Sequence, residues 1–216
     1  MNEKPTSVIF DLDGVLINSM EVMKNAYIES CRQVLKGEIF PPFSEYCKYL
    51  GRSLPEILRI MGLPQEIRPV FIEQSYQQMA KIKMFDGIRE VLAILHEKQI
   101  PMAIATGKEF DRTRAILKHL GIYHYFSKVV CSDRVSKPKP SPEMANIIID
   151  ELGLTAQQCL FVGDAAADIQ CGKQAGTQTA LALWGDPDVT VLNETADYRL
   201  NDPLELLELV EAECYA

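Results

Sequence analysis

The segment 8–14, Val-Ile-Phe-Asp-Leu-Asp-Gly, constrains the fold of this chain more than any other stretch. Its first three residues are β-branched or aromatic and show no polar alternation, which is typical of a strand buried on both faces of a parallel sheet. Asp11 and Asp13 follow directly, at the carboxyl end of that strand, where open α/β sheets bind their ligands. Because two carboxylates this close repel each other unless a cation or a shared proton intervenes, the segment predicts an α/β fold with a charged site.

The rest of the chain alternates between short apolar runs and amphipathic stretches. This alternation predicts a Rossmann-like, doubly wound parallel sheet with helices on its faces. Four further strands are predicted, at 101–105, 128–131, 159–162 and 177–183. Helices are predicted at 88–97, 110–120, 143–152, 165–175 and 204–210.

Residues 17–84 interrupt the alternation. Apolar residues recur there at helical spacing over 20–35, 53–61 and 64–83, and no strand is expected between 17 and 84. The predicted organisation is therefore an α/β catalytic core of residues 1–16 and 85–216, with residues 17–84 inserted as an all-helical cap domain.

Composition excludes several classes of partner and compartment. The 216 residues are 47% hydrophobic, enough for a sizeable core, and the net charge of −8 makes nucleic acid or an anionic membrane an unfavourable partner. The six cysteines, Cys214 among them, form no C-x-x-C pair and are interpreted as reduced thiols. The apolar run before Asp11 is too short for a signal peptide, and no run suits a membrane span, so a cytoplasmic location is expected.

Polar side chains follow the predicted strands, one strand after another. Asp11 and Asp13 follow the first strand, Thr106 ends the second, Lys137 lies in the loop after the third, and Asp164 follows the fourth. In a doubly wound sheet these strand ends converge on one crevice. We therefore expect carboxylates, a hydroxyl and an ammonium to form a single site.

This set of groups fits phosphoryl transfer. Clustered carboxylates together with phosphate oxygens are ligands that Mg²⁺ prefers. One carboxylate can attack phosphorus and form an aspartyl-phosphate, while a second can move protons to the leaving group and from water. A hydroxyl and an ammonium can hold the remaining phosphoryl oxygens. The parts thus fit phosphoryl transfer with a divalent cation such as Mg²⁺.

Four motifs resemble those of the haloacid dehalogenase-like hydrolase superfamily, in the family's order and spacing. They are D-x-D-G-[VT] at 11–15, the strand-ending Thr-Gly at 106–107, K-P-x-P at 137–140 and G-D-x-x-x-D at 163–168. The helical block after the first motif is similar to the small cap of the branch that includes phosphoglycolate phosphatase and β-phosphoglucomutase. The resemblance extends along the whole chain.

The resemblance implies roles for the residues at the matching positions. Asp11 would be the nucleophile and Asp13 the general acid and base. Mg²⁺ would be bound by the Asp11 carboxylate, the main-chain carbonyl of Asp13 and Asp164. Lys137 would act as the catalytic lysine that contacts the phosphoryl group, and Asp168 would orient Lys137 or a metal-bound water.

Four residues are candidates for binding the substrate. Thr106 and Gly107 of the second motif would contact the phosphoryl group. Lys108 follows them directly, and Arg52 lies in a loop between two predicted cap helices that can point into the cleft. For Lys108 and Arg52, an ordinary surface position is the alternative interpretation.

The favoured function is hydrolysis of a small phosphomonoester, and two alternatives stay open. A sugar phosphomutase of the β-phosphoglucomutase type resembles this chain in all four motifs, but such enzymes commonly have His where this chain has Met23, and Ser or Ala where it has Gly107. A catalytically inactive binding module is the other alternative, and the intact Asp11, Asp13, Lys137 and Asp164 argue against it. The sequence names neither the substrate nor the oligomeric state.

Overall fold

The computed structural model describes residues 4–185 and 194–211; Cys214 lies outside these ranges. Its main sheet has six parallel strands in the order β5-β4-β1-β6-β7-β8. These strands are β1 Ser7–Phe10, β4 Met102–Thr106, β5 Lys128–Cys131, β6 Cys159–Gly163, β7 Gln178–Ala182 and β8 Tyr198–Leu200. The Rossmann-like fold predicted from the alternation is confirmed, although strand β8 was not among the predicted ones.

Helices cover both faces of this sheet. They are α5 Ile88–Glu97, α6 Phe110–His119, α7 Glu143–Leu152, α8 Ala166–Ala175 and the short α9 Leu206–Leu209. Because successive strand side chains point to opposite faces, Val8 and Phe10 of β1 pack in one apolar cluster with α5, α6 and α9. Ile9, between them, packs in the other cluster with α7. The central strand is thus buried on both sides, as its unbroken apolar run predicts.

The segment between β1 and α5 has a separate apolar cluster. Its helices are α1 Met20–Leu35, α2 Phe43–Cys47, α3 Leu54–Ile60 and α4 Ile67–Gln77. Tyr27 of α1, Leu58 of α3 and Phe71 of α4 are buried together in this cluster. Helix α4 is shorter than the predicted 64–83.

The expectation of no strand between 17 and 84 was wrong. Strands β2 Ile17–Asn18 and β3 Lys83–Met84 pair antiparallel where the chain leaves the main sheet and returns to it. Strands of two residues are too short to show any periodicity, so the pairing depends on the two chain passages lying side by side. The Phe85 amide donates to the Leu16 carbonyl at 3.2 Å, and Trp184 Nε1 donates to the Val15 carbonyl at 2.9 Å, which fixes this junction.

Two compositional expectations can be compared with the described residues. The cysteines at 31, 47, 131, 159 and 171 form no disulfide there. Within residues 4–185 and 194–211, no helix combines the length and the apolar character that crossing a membrane requires.

Candidate active site

The carboxyl ends of β1, β4 and β6 border one cavity. Asp11 and Asp13 after β1, Thr106 at the end of β4 and Asp164 after β6 all line it. The strand-end argument therefore brings together residues up to 153 positions apart in the sequence. The opposite wall comes from residues of α1 to α4 and the loop that holds Arg52.

Asp11 is buried at the centre of this site. Its amide donates to the Val162 carbonyl at 2.9 Å, which continues the pairing of β1 with β6. Its Oδ1 accepts a hydrogen bond from Lys139 Nζ at 2.6 Å. Burial raises the pKa of Asp11 to about 7, with Lys139 opposing and Asp168 adding to that rise. Lys139 alone therefore does not offset the cost of burying the negative charge of Asp11.

The structure contradicts the placement of Lys137 in the site. Lys137 is exposed, and its amide, with that of Ser136, donates to the Glu143 carboxylate at 2.8 Å. Lys139 is fully buried instead, and its Nζ donates to Asp11, to Asp168 at 2.5 Å and to the Ala105 carbonyl at 2.9 Å. Although burial opposes the ammonium form, Asp11 and Asp168 raise the pKa of Lys139, so it stays charged.

The sequence contains a second match to the same motif, which begins at Lys139. The pattern K-P-x-P fits residues 137–140 and also, two residues later, residues 139–142. The second match ends where helix α7 begins, at Glu143. Anchoring of the 136–137 amides on Glu143 holds the first lysine at the surface, and the chain then turns inward at Lys139.

Asp164 and Asp168 complete a carboxylate cluster with Asp11. One oxygen from each of the three lies within 4.8 Å of the others, and all three residues are buried. Asp168 is held by Lys139 and by the Ala165 amide, which donates to its Oδ2 at 3.0 Å. Within the described residues the Asp164 carboxylate has no hydrogen-bond or ion-pair partner, and burial together with Asp168 and Asp11 raises its pKa well above the usual range.

This donor set fits a hard divalent cation. Three buried carboxylates face a single ammonium, and all the donors are oxygens, which Mg²⁺ prefers. The chain also makes room at this position. Gly14 has a φ of +81°, and a Cβ there would overlap the Asp164 carboxylate, so only glycine leaves the cluster open.

Asp13 faces the same cavity but has different partners. Lys108 Nζ lies 3.1 Å from Asp13 Oδ2, and the Ser19 hydroxyl donates to Oδ1. Burial alone would raise the pKa of Asp13, but Lys108 and Ser19 outweigh it and lower that pKa below its usual value. The two carboxylates thus differ in their electrostatic surroundings: the pKa of Asp11 is raised and the pKa of Asp13 is lowered.

Arg52 and Gly107 lie where the inserted segment meets the sheet. Arg52 lines the cavity, and its Nη1 pairs with Glu56 Oε1 at 2.5 Å, with 29% of the side chain exposed. A Cβ on Gly107 would overlap the main-chain oxygen of Arg52, and a Cβ on Gly51 would lie 3.0 Å from the Ala165 Cβ. The 51–52 loop therefore packs directly on two loops of the sheet and covers part of the cavity.

Sequence reasoning missed Arg112 as a residue of this cavity. It lies in α6, is 5% exposed, and contacts Ser75 and Phe71 of α4 as well as Glu109. Its position in an amphipathic helix carried no signal, because its burial results from contact with a distant part of the chain.

Comparison with known proteins places the chain in a family. The family model described as haloacid dehalogenase-like hydrolase matches residues 8–182. A phosphoglycolate phosphatase from Aquifex aeolicus is 31% identical over 94% of this chain and 96% of its own length. Pyrophosphatase PpaX from Listeria welshimeri is 28% identical over 99% of this chain and 100% of its own length.

A solved structure agrees in fold. The crystal structure of a hydrolase from Pseudomonas syringae superposes with a TM-score of 0.84 at 24% identity, covering 95% of this chain and 97% of the other. Together with the family model, which spans most of the chain, these similarities confirm the resemblance seen in the motifs. The chain belongs to the haloacid dehalogenase-like hydrolase family.

Proposed function

We propose that this hydrolase is a Mg²⁺-dependent phosphatase that cleaves a small phosphomonoester through an aspartyl-phosphate on Asp11. The observation that carries the proposal is the setting of Asp11, a buried carboxylate that lines the cavity, pairs with Lys139 and shares an oxygen cluster with Asp164. The curated relatives bearing the names phosphoglycolate phosphatase and pyrophosphatase support the same class of reaction.

In the first step Asp11 attacks phosphorus, and the bond from phosphorus to the leaving oxygen breaks. Lys139 holds one Asp11 oxygen and thereby orients the carboxylate toward the cavity. Thr106, buried at the end of β4, and the amide of Gly107 both line the cavity and would hold phosphoryl oxygens. Asp11, the main-chain carbonyl of Asp13 and Asp164 would hold Mg²⁺, whose charge would offset repulsion between the carboxylates and the phosphoryl group.

Asp13 moves the protons in both steps. Lys108 and Ser19 keep Asp13 ionised before substrate binds, and entry of an anionic phosphoryl group raises its affinity for a proton. Protonated Asp13 then gives its proton to the leaving oxygen. The resulting carboxylate removes a proton from the water that attacks the aspartyl-phosphate, so one residue serves as acid and then as base.

We further propose that residues 1–16 and 85–216 form the catalytic core and that residues 17–84 form a cap that opens and closes over it. The separate apolar cluster of α1 to α4 and the paired strands β2 and β3 at the junction support this division. A closed cap excludes water from the site, and an open one admits the substrate. A small phosphorylated metabolite as substrate and a cytoplasmic location belong to the same proposal.

The cap contact at Gly107 predicts the effect of a single methyl group. In Gly107→Ala the new Cβ would push the 51–52 loop away, so the closed state is lost. A shift of about 1 Å at a catalytic site costs about 100-fold, so we expect kcat/KM for an aryl phosphate to fall by about that factor while the melting temperature changes little. Unchanged kcat/KM would contradict the closure described here.

Phosphate release from nitrophenyl phosphate tests the proposed function. We expect release with Mg²⁺ and a fall of at least about 100-fold when the metal is chelated with EDTA, because the carboxylates then repel the substrate. Asp11→Asn is the matched control, since it keeps the size of the side chain and removes the nucleophile. Absence of Mg²⁺-dependent release across a broad panel of phosphate esters would overturn the proposal.

A further inference from the structure

The cavity continues beyond the carboxylates to an end that contains two buried cations. Lys108 and Arg112 both line it, and they are 6% and 5% exposed. Both belong to the core, Lys108 just before α6 and Arg112 in the first turn of that helix. Lysine and arginine are almost never buried this deeply unless they are paired. Comparing the charge of these two residues with that of their partners therefore indicates whether this end of the cavity can bind an anion.

The partners do not supply enough negative charge. Lys108 pairs with Asp13, while Glu109 is shared between Arg112, at 2.9 Å, and the half-exposed Arg68, at 3.5 Å. Three cations therefore face two carboxylates. Within the described residues the buried Arg112 Nε makes no hydrogen bond, so this donor lacks an acceptor. A further anionic group at this end would complete the pairing.

Arg112 also connects this end of the cavity to the cap. Its Nη1 donates to the Ser75 hydroxyl at 3.1 Å, and its guanidinium lies 5.4 Å from the centre of the Phe71 ring. Both partners belong to α4. The cationic end is therefore assembled only when α4 lies against α6, as it does in this closed arrangement.

The remaining wall is apolar. Met23, Tyr46, Leu54, Ile57 and Phe71 provide most of the cap side of the cavity. A polyhydroxylated leaving group such as a hexose would find few hydrogen-bond partners on this wall. A short carbon chain with a charged end matches both the apolar wall and the two cations.

We propose that Lys108 and Arg112 form a second anion-binding site, which takes an anionic group on the leaving group of the substrate. The substrate class is a small phosphate ester that carries a carboxylate or a second phosphate a few atoms from the scissile bond. This inference rests on the proposed phosphatase function and narrows it. Because Arg112 bridges α6 and α4, binding of the second anion also stabilises the closed cap.

Two substrates that differ only in charge test the proposal. Phosphoglycolate and its amide have the same number of non-hydrogen atoms, and only the first has a carboxylate. Since hydrogen bonds to charged groups contribute roughly ten- to hundredfold in affinity, we expect kcat/KM for the acid to exceed that for the amide by about 100-fold. Pyrophosphate, measured alongside, distinguishes a second phosphate from a carboxylate by which of the two is hydrolysed faster.

Variants assign the preference to the two cations. Arg112→Met keeps a long apolar side chain against Phe71, and we expect it to reduce the ratio of acid to amide to about 10 or less. Arg114→Met, the same change at an exposed position of α6, should retain the wild-type ratio. Lys108→Met provides a second test of the ratio should Arg112→Met fail to fold.

Equal kcat/KM for acid and amide in the wild type would overturn the proposal, as would an Arg112→Met variant that lowers both rates and leaves their ratio unchanged. Failure of the phosphatase function itself looks different, because no ester would then be hydrolysed, including nitrophenyl phosphate. In that case calorimetry on Asp11→Asn decides the matter: the acid should bind at least about tenfold more tightly than the amide, and equal affinities would refute the site.

Discussion

Replacing Lys139 with Met is expected to lower kcat for nitrophenyl phosphate about 1,000-fold, whereas Lys137→Met should leave it within about twofold of the wild type. The two lysines are two residues apart in the same Pro-rich loop. Lys139 is fully buried and pairs with Asp11 and Asp168, whereas Lys137 is exposed. Comparing the two variants therefore shows whether activity depends on the buried ammonium of Lys139 or on any lysine in this loop.

The loss has two physical sources. Without the ammonium, the Asp11 carboxylate loses the partner that orients it, and repulsion among Asp11, Asp164 and Asp168 increases. Removal of one member of a buried ion pair also costs about 3–5 kcal/mol of stability. Thermal unfolding measured on both variants separates the two sources, because a folded but inactive Lys139→Met protein assigns the loss to catalysis.

The opposite pattern would contradict the structure. If Lys137→Met lost activity and Lys139→Met kept it, the first K-P-x-P match would be the functional one. If Lys139→Met did not fold, the Lys137→Met result alone would still decide whether Lys137 takes part in the reaction.

Replacing Asp13 with Asn is expected to slow the second step of the reaction while the first step still proceeds with a suitable substrate. Dinitrophenyl phosphate has a leaving group that needs no proton, so Asp11 can still be phosphorylated in Asp13→Asn. The second step needs a base to activate water, and we expect it to slow by about 100- to 10,000-fold. Rapid mixing should show a burst of one phenolate per active site, followed by a nearly flat phase.

The substrate and a second variant provide the controls for this burst. With an alkyl phosphate, whose leaving oxygen requires a proton, Asp13→Asn should show no burst at all. Asp11→Asn should show none with either substrate. A steady release of phenolate by Asp13→Asn at the wild-type rate would mean that another residue activates the water.

The strand-end argument identified most of the site because it depends on a property of the whole fold. Once the apolar runs at 8–10 and 159–162 are recognised as parallel strands, the residues that follow them must lie at one edge of the sheet. Asp11, Asp13, Thr106 and Asp164 lie around one cavity for that reason. Their distances along the sequence do not matter to this argument.

Lys139 could not be identified in the same way. It lies in a loop without periodicity, and the repeated Lys-Pro offers two positions with equal local chemistry. What distinguishes them is the contact of Glu143 with the 136–137 amides, which keeps Lys137 at the surface. A side chain seven residues away in the sequence from Ser136 thus decides which lysine turns inward.

Arg112 and the β2–β3 pair show a second limit. Arg112 is buried because α4, nearly forty residues earlier in the sequence, lies over it. The strands of two residues form because the chain leaves and re-enters the core at the same place. Both features arise from contacts between distant segments, and local patterns carry no record of such contacts.

The central claim is that the phosphoryl group is transferred to Asp11. It is tested most directly by quenching Asp13→Asn with acid after reaction with dinitrophenyl phosphate, and then locating the modified residue by peptide mass spectrometry. We expect the peptide that contains Asp11 to gain the mass of one phosphoryl group, with the modification on Asp11 and lost on treatment with hydroxylamine. Release of one equivalent of phenolate with that peptide unmodified, or a phosphoryl group on another residue, would contradict the mechanism.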